Sequence, residues 1–335
     1  MRTIRVSAAE DADFHSIREA LQSLMPGDPE PVTILLSPGT YREKVEVRRP
    51  DVTICGTGAP EETVIVYGDY ALKMYDENGK YGTFRSYTLL LDGDRNTLRN
   101  LTVRNDSFPR KKVGQAVALY ADGDGILVED CHLESFQDTL FTGPLPPKAM
   151  SVGGFIGPKE FAPRVMGRHH YLHCRISGDV DFIFGSAVCY FEDCDIVCRN
   201  GLTDADQAPE TGVLGYATAA STPEGYPYGY VFSHCRFLSD GCPAGSFYLG
   251  RPWRDYAKTV LIRCYLDAHI RKEGFHDWGK PQAHDTVLYA EYESSGPGAS
   301  RERADFVRIL TEEEAAEYTK EKVLSEAALT GEKDG

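Results

Sequence analysis

Long apolar runs are missing from this 335-residue chain. No stretch of about 18 apolar residues occurs, so a membrane-spanning helix is not expected. The opening Met1-Arg-Thr-Ile-Arg-Val-Ser7 is interrupted by charge and no apolar segment follows, unlike a secretory leader. Positive charge is also short: 36 Lys and Arg against 51 Asp and Glu leave a net charge of −15. That balance argues against nucleic acid and anionic membranes as partners. Nucleotide-binding loops of the Walker or Gly-x-Gly-x-x-Gly type are absent, as are a Gly-x-Ser-x-Gly elbow and a His-Glu-x-x-His helix. Nucleotide, serine-hydrolase and zinc-protease chemistry lose their support with them. Cysteine is present, nine times, but an odd count suits free thiols in a reducing compartment better than a disulfide framework. With Met1 as the natural start, the expected location is the cytoplasm.

What is there is a repeat. Val128-Glu-Asp-Cys131-His-Leu133, Tyr171-Leu-His-Cys174-Arg-Ile176 and Phe191-Glu-Asp-Cys194-Asp-Ile196 share one pattern. Phe232-Ser-His-Cys235-Arg-Phe237 and Leu261-Ile-Arg-Cys264-Tyr-Leu266 continue it, and Leu98-Arg-Asn-Leu101-Thr-Val103 carries Leu in the Cys place. Successive markers are 30, 43, 20, 41 and 29 residues apart. A short unit of strict pattern with variable insertions is the signature of a solenoid. Strand-like units of this length predict an all-β parallel β-helix in which the cysteines stack inward as small apolar residues. Cys189, Cys194 and Cys198 are therefore packing residues rather than a zinc site, since no paired Cys-x-x-Cys accompanies them. His169, His170 and His173 are read as packed or solvated. No metal is expected.

Around the repeat, Thr3–Val6 and Val32–Leu36 read as strands. Between them a short helix opens near Asp13, with Phe14, Ile17, Leu21 and Leu24 on one face and Pro26-Gly27 ending it. Long side loops are expected at about 76–88, 142–168 and 200–229, forming the walls of a cleft. Thr311 with Glu314 makes a capping box that predicts an amphipathic helix over 311–328, before a tail at 331–335. The chain is read as one β-helix domain, 1–335, with both terminal helices available to cover strand edges.

Chemistry concentrates at two aspartates. Asp181 lies in Gly178-Asp-Val-Asp-Phe-Ile-Phe-Gly185, an apolar run in which an ionised carboxylate is costly unless paired. Asp138 lies seven residues after Cys131, as Asp181 lies seven after Cys174. In successive parallel strands they become neighbours about 5 Å apart, close enough to drive their pKa values apart. Gln115, Gln137 and Arg251-Pro-Trp253 add amide donors, a guanidinium and an indole. Together these are the parts of an acyl-transfer site on carbohydrate.

Five blocks carry a family resemblance: Gly39-Thr-Tyr-Arg-Glu43, Gln115-Ala-Val-Ala-Leu119, Phe136-Gln-Asp-Thr-Leu140, Asp179-Val-Asp-Phe-Ile-Phe-Gly185 and Leu249-Gly-Arg-Pro-Trp253. They resemble, in order, the signature blocks of pectin methylesterases. The resemblance implies a right-handed parallel β-helix that removes methyl esters from galacturonate and releases methanol. It implies Asp181 as nucleophile, Asp138 as general acid and base, Gln115 and Gln137 as oxyanion donors, Arg251 as partner of Asp181, and Trp253 as a sugar contact. Tyr216, Tyr230, Phe184 and Trp278 are the further candidates for lining sugar subsites. No cofactor is implied. Departures are Ser135 where the family usually has Gly, Phe141 where Tyr is common, and Phe275 where Trp often stands. The expected partner is methyl-esterified galacturonan, short methylated oligomers above all, acted on by a monomer. A β-helix glycoside hydrolase, an acyl-CoA thioesterase and a non-catalytic carbohydrate-binding solenoid are the rival readings.

Overall fold

The computed structural model describes residues 2–25, 27, 30–77 and 79–330. Among these, three parallel sheets of eleven, eight and seven strands wind around one interior, each strand pairing with its counterpart one coil away. One coil runs through Ile126–Glu129, His132–Glu134 and Leu140–Thr142, one strand per sheet. The next runs through Arg168–Leu172, Arg175–Gly178 and Val180–Gly185. The expected parallel β-helix is what the chain forms.

Register stacks like residues. Leu98, Val128, Tyr171, Phe191, Phe232 and Leu261 form one inward ladder in the eleven-stranded sheet. Its rings lie face to face, Tyr171 on Phe191 at 4.7 Å and Phe191 on Phe232 at 4.4 Å, the spacing that strand pairing itself imposes. The next rung is Glu291, buried and held by both arms of Arg303, so the apolar ladder closes in a buried ion pair.

The cysteines mark a corner rather than a strand. Immediately before them, Asn100, Asp130, His173, Asp193, His234 and Arg263 all have φ between 50° and 54°. Asn, Asp and His tolerate this left-handed region better than most residues, which explains their recurrence there. The next side chain then turns inward, cysteine at five of these corners and Leu101 at the sixth. Cysteine adds a weak acceptor: the Cys174 N–H points at Cys194 Sγ and the Cys194 N–H at Cys235 Sγ, both at 3.4 Å. All nine cysteines are unpaired. Titration of the denatured, unreduced protein should therefore count about nine thiols; a count near one would mean four disulfides and an oxidising compartment.

Several expectations need correction. The N-terminal helix is only Ile17–Gln22, capped by Ser16; Phe14 instead bridges to Val6, and Pro26 lies outside the described residues. The helix expected over 311–328 begins at its capping box as Glu312–Ala315 but is broken at Thr319 and Ser325, both extended, into short turns. Its Ala315, Val323 and Ala328 pack on Val188, Tyr190 and Val231, so it covers the outer face of the large sheet rather than an edge. The insertion expected at 200–229 contains a strand of the seven-stranded sheet, Gly215–Ala220, and is two loops.

Candidate active site

The seven-stranded sheet orders its strands so that Leu140–Thr142, Val180–Gly185, Gly215–Ala220 and Phe247–Gly250 are successive neighbours. Leu140 pairs with Ile183, so Asp138 and Asp181 occupy equivalent places in consecutive coils, as their spacing predicted. The Asp138 N–H donates to Val180 O at 3.0 Å. Both aspartates are left-handed, with φ of 66° and 50°, and the register slips between Val180 and Ile183. A bulge of this kind re-aims side chains, and non-glycine residues in this region concentrate at functional sites.

Arg251 follows the strand Phe247–Gly250 and grips Asp181 with two parallel bonds, Nε to Oδ1 at 2.8 Å and Nη2 to Oδ2 at 2.6 Å. Its guanidinium lies between two rings, 3.8 Å from the centre of Tyr216 and 3.7 Å from that of Trp278. Planar, forked and stacked, this is a geometry lysine could not reproduce. Burial raises the Asp181 carboxyl above its ordinary range, and Arg251 draws it back. Asp138 has no such partner: burial first, then the Asp181 charge, push it well above the carboxylate range. Neighbouring carboxyls in unlike surroundings have their pKa values driven apart, and here Asp138 is the one pushed further up.

Gln115 and Gln137 stand beside the pair in successive coils, joined through the Ala116 N–H on Gln137 O. Their backbones are held but neither side-chain amide has a hydrogen-bond partner among the described residues. Ser135, in the family's Gly place, donates its hydroxyl to Ala116 O at 2.6 Å and so ties the same two coils.

Trp253 rests on aromatic rings from three places: Phe84 from the 76–88 insertion at 6.5 Å, Phe155 from the 142–168 insertion at 6.3 Å, and Phe184 from the sheet at 5.8 Å. Phe184 is only 4% exposed and so seats the indole from below rather than lining a sugar subsite, and the fully buried Phe141 packs beneath Phe184 and Phe84. Tyr216 and Trp278 reach the site, each with a ring face committed to Arg251. Tyr230 does not. It is 1% exposed, points into the solenoid, and shares a 2.7 Å hydrogen bond with Thr142 Oγ1. Gly229 precedes it and the strand Tyr230–Ser233 carries it inward, which corrects its place among the subsite residues. Tyr230→Phe should leave kcat/KM within about twofold and cost about 1 kcal/mol in urea unfolding, the worth of one buried hydrogen bond. Phe275 is likewise interior, stacked on Tyr289 at 4.2 Å.

The sequence reading gave no role to Asp179, two residues before Asp181. It is fully buried, paired with Arg110 at 2.7 Å, and pushed by burial up to about 6. Its repeated acidic position in Asp179-Val-Asp181 was a visible signal; its partner, 69 residues earlier in the chain, was not.

A pair of buried carboxyls in unlike surroundings, one gripped by a guanidinium, set on the seven-stranded face of a parallel solenoid beside a cluster of aromatic rings, defines a β-helix hydrolase. The pectinesterase family model matches residues 3–144 and 164–327. Pectinesterase 31 of Arabidopsis thaliana is 31% identical over 325 residues, covering 95% of this chain and 90% of that protein. The pectin methylesterase of Erwinia chrysanthemi superposes with a TM-score of 0.77 at 30% identity, covering 96% of this chain and 97% of that one. A pectin methylesterase solved in complex with a hexasaccharide superposes at 0.78 with 31% identity and the same coverages, 96% and 97%. The chain belongs to the pectinesterase family. It spans 63% and 50% of two longer Arabidopsis thaliana relatives named as pectinesterase/pectinesterase inhibitor proteins.

Proposed function

We propose that the chain is a pectin methylesterase in which Asp181 attacks the carbonyl carbon of a galacturonate methyl ester. The observation that carries this reading is the forked Arg251–Asp181 pair beside a raised Asp138 in the next coil. Asp181 is the ionised partner and therefore the nucleophile. Gln115 and Gln137, with free amides, hydrogen-bond the oxyanion, each donor worth about 10²–10³ in rate. Asp138 enters protonated and gives its proton to the departing methoxide, so methanol leaves and an acyl-enzyme on Asp181 remains. Asp138, now a carboxylate, takes a proton from water. The resulting hydroxide adds to the same carbonyl carbon, the bond to Asp181 breaks, and galacturonate departs. Trp253 offers the sugar a flat apolar face.

Short methylated oligogalacturonides are the proposed substrates. The net charge of −15 repels a de-esterified polyanion, and nine unpaired buried or half-buried thiols support a reducing compartment, where only imported fragments are met. Methanol release from methylated di- to hexamers and from polymer, at equal ester concentration, tests both levels. Methanol without new reducing ends, and no turnover of a fatty acyl-CoA, is the expected result for the esterase. An oligomer kcat/KM above that of polymer is expected for the size preference, and a tenfold preference for polymer refutes it.

A further inference from the structure

Arg251 is held by a strap the mechanism has not used. Residues 274–280 return to the catalytic face after the last strand of its sheet: Leu249 N–H donates to Gly274 O at 2.7 Å and His276 N–H to Gly250 O at 3.0 Å. Phe275 plugs into the interior. Lys280 Nζ donates to Pro252 O at 2.7 Å and Trp253 O at 3.0 Å, so the strap also binds the backbone that carries the indole. Between these anchors, Trp278 lays its ring on the Arg251 guanidinium.

Trp278 does this from a conformation a bulky residue rarely adopts, with φ of 56°. One side chain on the strap holds it there: the Trp278 N–H donates to His276 Nδ1 at 2.9 Å. The donor is a backbone N–H, so Nδ1 must carry a lone pair, and only neutral imidazole has one. The His276 ring also sits edge-on to Tyr248 at 5.0 Å and to Tyr216 at 5.7 Å, the second ring of the Arg251 sandwich. Tyr216 and Tyr248 stack on each other at 5.6 Å.

We propose that His276 is a positioning residue for Asp181: as a neutral acceptor it fixes Trp278, Trp278 and Tyr216 fix the Arg251 fork, and protonation of His276 releases the clamp. The groups facing His276 set when this happens. From its own segment Asp277 favours the charged ring, although His284 takes part of that carboxylate at 3.2 Å. From the neighbouring elements Arg251 and Arg271 oppose it, Arg271 lying over Tyr248 and 3.4 Å from Glu273. Tyr216 and Tyr248 offer only ring faces. Burial is the largest influence and, with the two arginines, holds the imidazole below its ordinary value. The switch therefore operates on the acid side of neutrality, as an added proton that switches the enzyme off. This inference rests on the reading of Arg251 and Asp181 given above.

The test compares pH profiles of kcat/KM on methylated trigalacturonate for wild type, His276→Asn and His276→Ala, with Asp181→Asn as control. An Asn side chain can accept the N–H two residues on without titrating. Wild type should fall on the acid side with a slope steeper than one proton. His276→Asn should keep most of the turnover near neutrality and fall with a slope of one. His276→Ala should lose about tenfold or more in kcat near neutrality, the cost of a misplaced catalytic group, with the deficit narrowing at acid pH where wild type has released its own clamp. A second readout does not depend on activity. The chain has two tryptophans. In a Trp253→Phe background the emission of Trp278 should titrate at the midpoint of the extra acid step, and His276→Asn should remove that titration. Superimposable pH profiles for wild type and His276→Asn, or an emission unaffected by His276→Asn, overturn the inference. Turnover by Asp181→Asn overturns the reading of the site instead, so the two failures are told apart.

Discussion

Asp181→Asn should reduce methanol release by about 10⁴-fold or more, the scale on which removal of a covalent nucleophile is felt. The substitution keeps the size of the side chain and its place at the bulge, but an amide oxygen has neither the charge nor the lone-pair basicity to open the ester. It also leaves Arg251 facing a neutral group on a mostly buried face, so part of the folding stability goes with it. Circular dichroism and binding of a methylated oligomer separate that loss from the chemical one. Asp138→Asn should behave differently. Burial and the Asp181 charge push its carboxyl well above the ordinary range, so the role proposed for it is proton transfer rather than attack. Loss of a general acid and base costs about 10²–10⁴-fold. Because the proposed deacylation also needs this group, rapid quenching should find the mixed anhydride between galacturonate and Asp181 accumulating. Wild-type-like release by Asp181→Asn would sink the assignment of roles.

Arg251→Ala should be the most damaging change outside the carboxyl pair. Two forked bonds, at 2.8 and 2.6 Å, are lost together with the cation between Tyr216 and Trp278. Breaking a buried ion pair from one side costs about 3–5 kcal/mol. The effect on pH has a definite sign. Burial already raises the Asp181 carboxyl and Arg251 opposes the rise. Without the guanidinium the carboxyl rises further, its ionised fraction at a given pH falls, and the acid limb of kcat/KM moves to higher pH. About 10³-fold in kcat near neutrality is expected, on the scale of removing a major electrostatic contributor. Arg251→Lys should restore part of the pH position but little of the rate, since an ammonium makes neither the fork nor the stack. An acid limb unchanged in Arg251→Ala would mean that something else holds Asp181 ionised.

How much of this could be read from the chain follows from which interactions repeat. The solenoid was legible because the same corner recurs, so Asp130-Cys131, His173-Cys174, Asp193-Cys194 and His234-Cys235 answer to one backbone requirement. The carboxyl pair was legible for the same reason: equal offsets from the markers became equal positions in consecutive coils. Tyr230 misled because the tyrosines of Tyr226-Pro-Tyr-Gly-Tyr230 look alike in sequence, yet the loop ends at Gly229. Tyr228 stays outside, its hydroxyl on Glu317 O, while Tyr230 turns into the core. The C-terminal segment misled because its apolar spacing suits a helix, whereas Thr319 and Ser325 restart the chain as extended residues. Of the strap only Trp278 was legible, as a residue of the site, and not as the partner of Arg251. Nothing in Phe275-His-Asp-Trp278 announces that one ring goes inside, one onto a guanidinium, and the imidazole between two tyrosines.

The position of the strap also bears on how the protein is made. Asp181 precedes Arg251 by 70 residues, and Trp278 comes later still. At ordinary synthesis rates the ribosome needs roughly 4–14 s to cover that gap. Through it, the nascent solenoid displays both aspartates and both glutamines with no cation to face them. The Asp181–Arg251–Trp278 set is therefore complete only once the strap itself has been made.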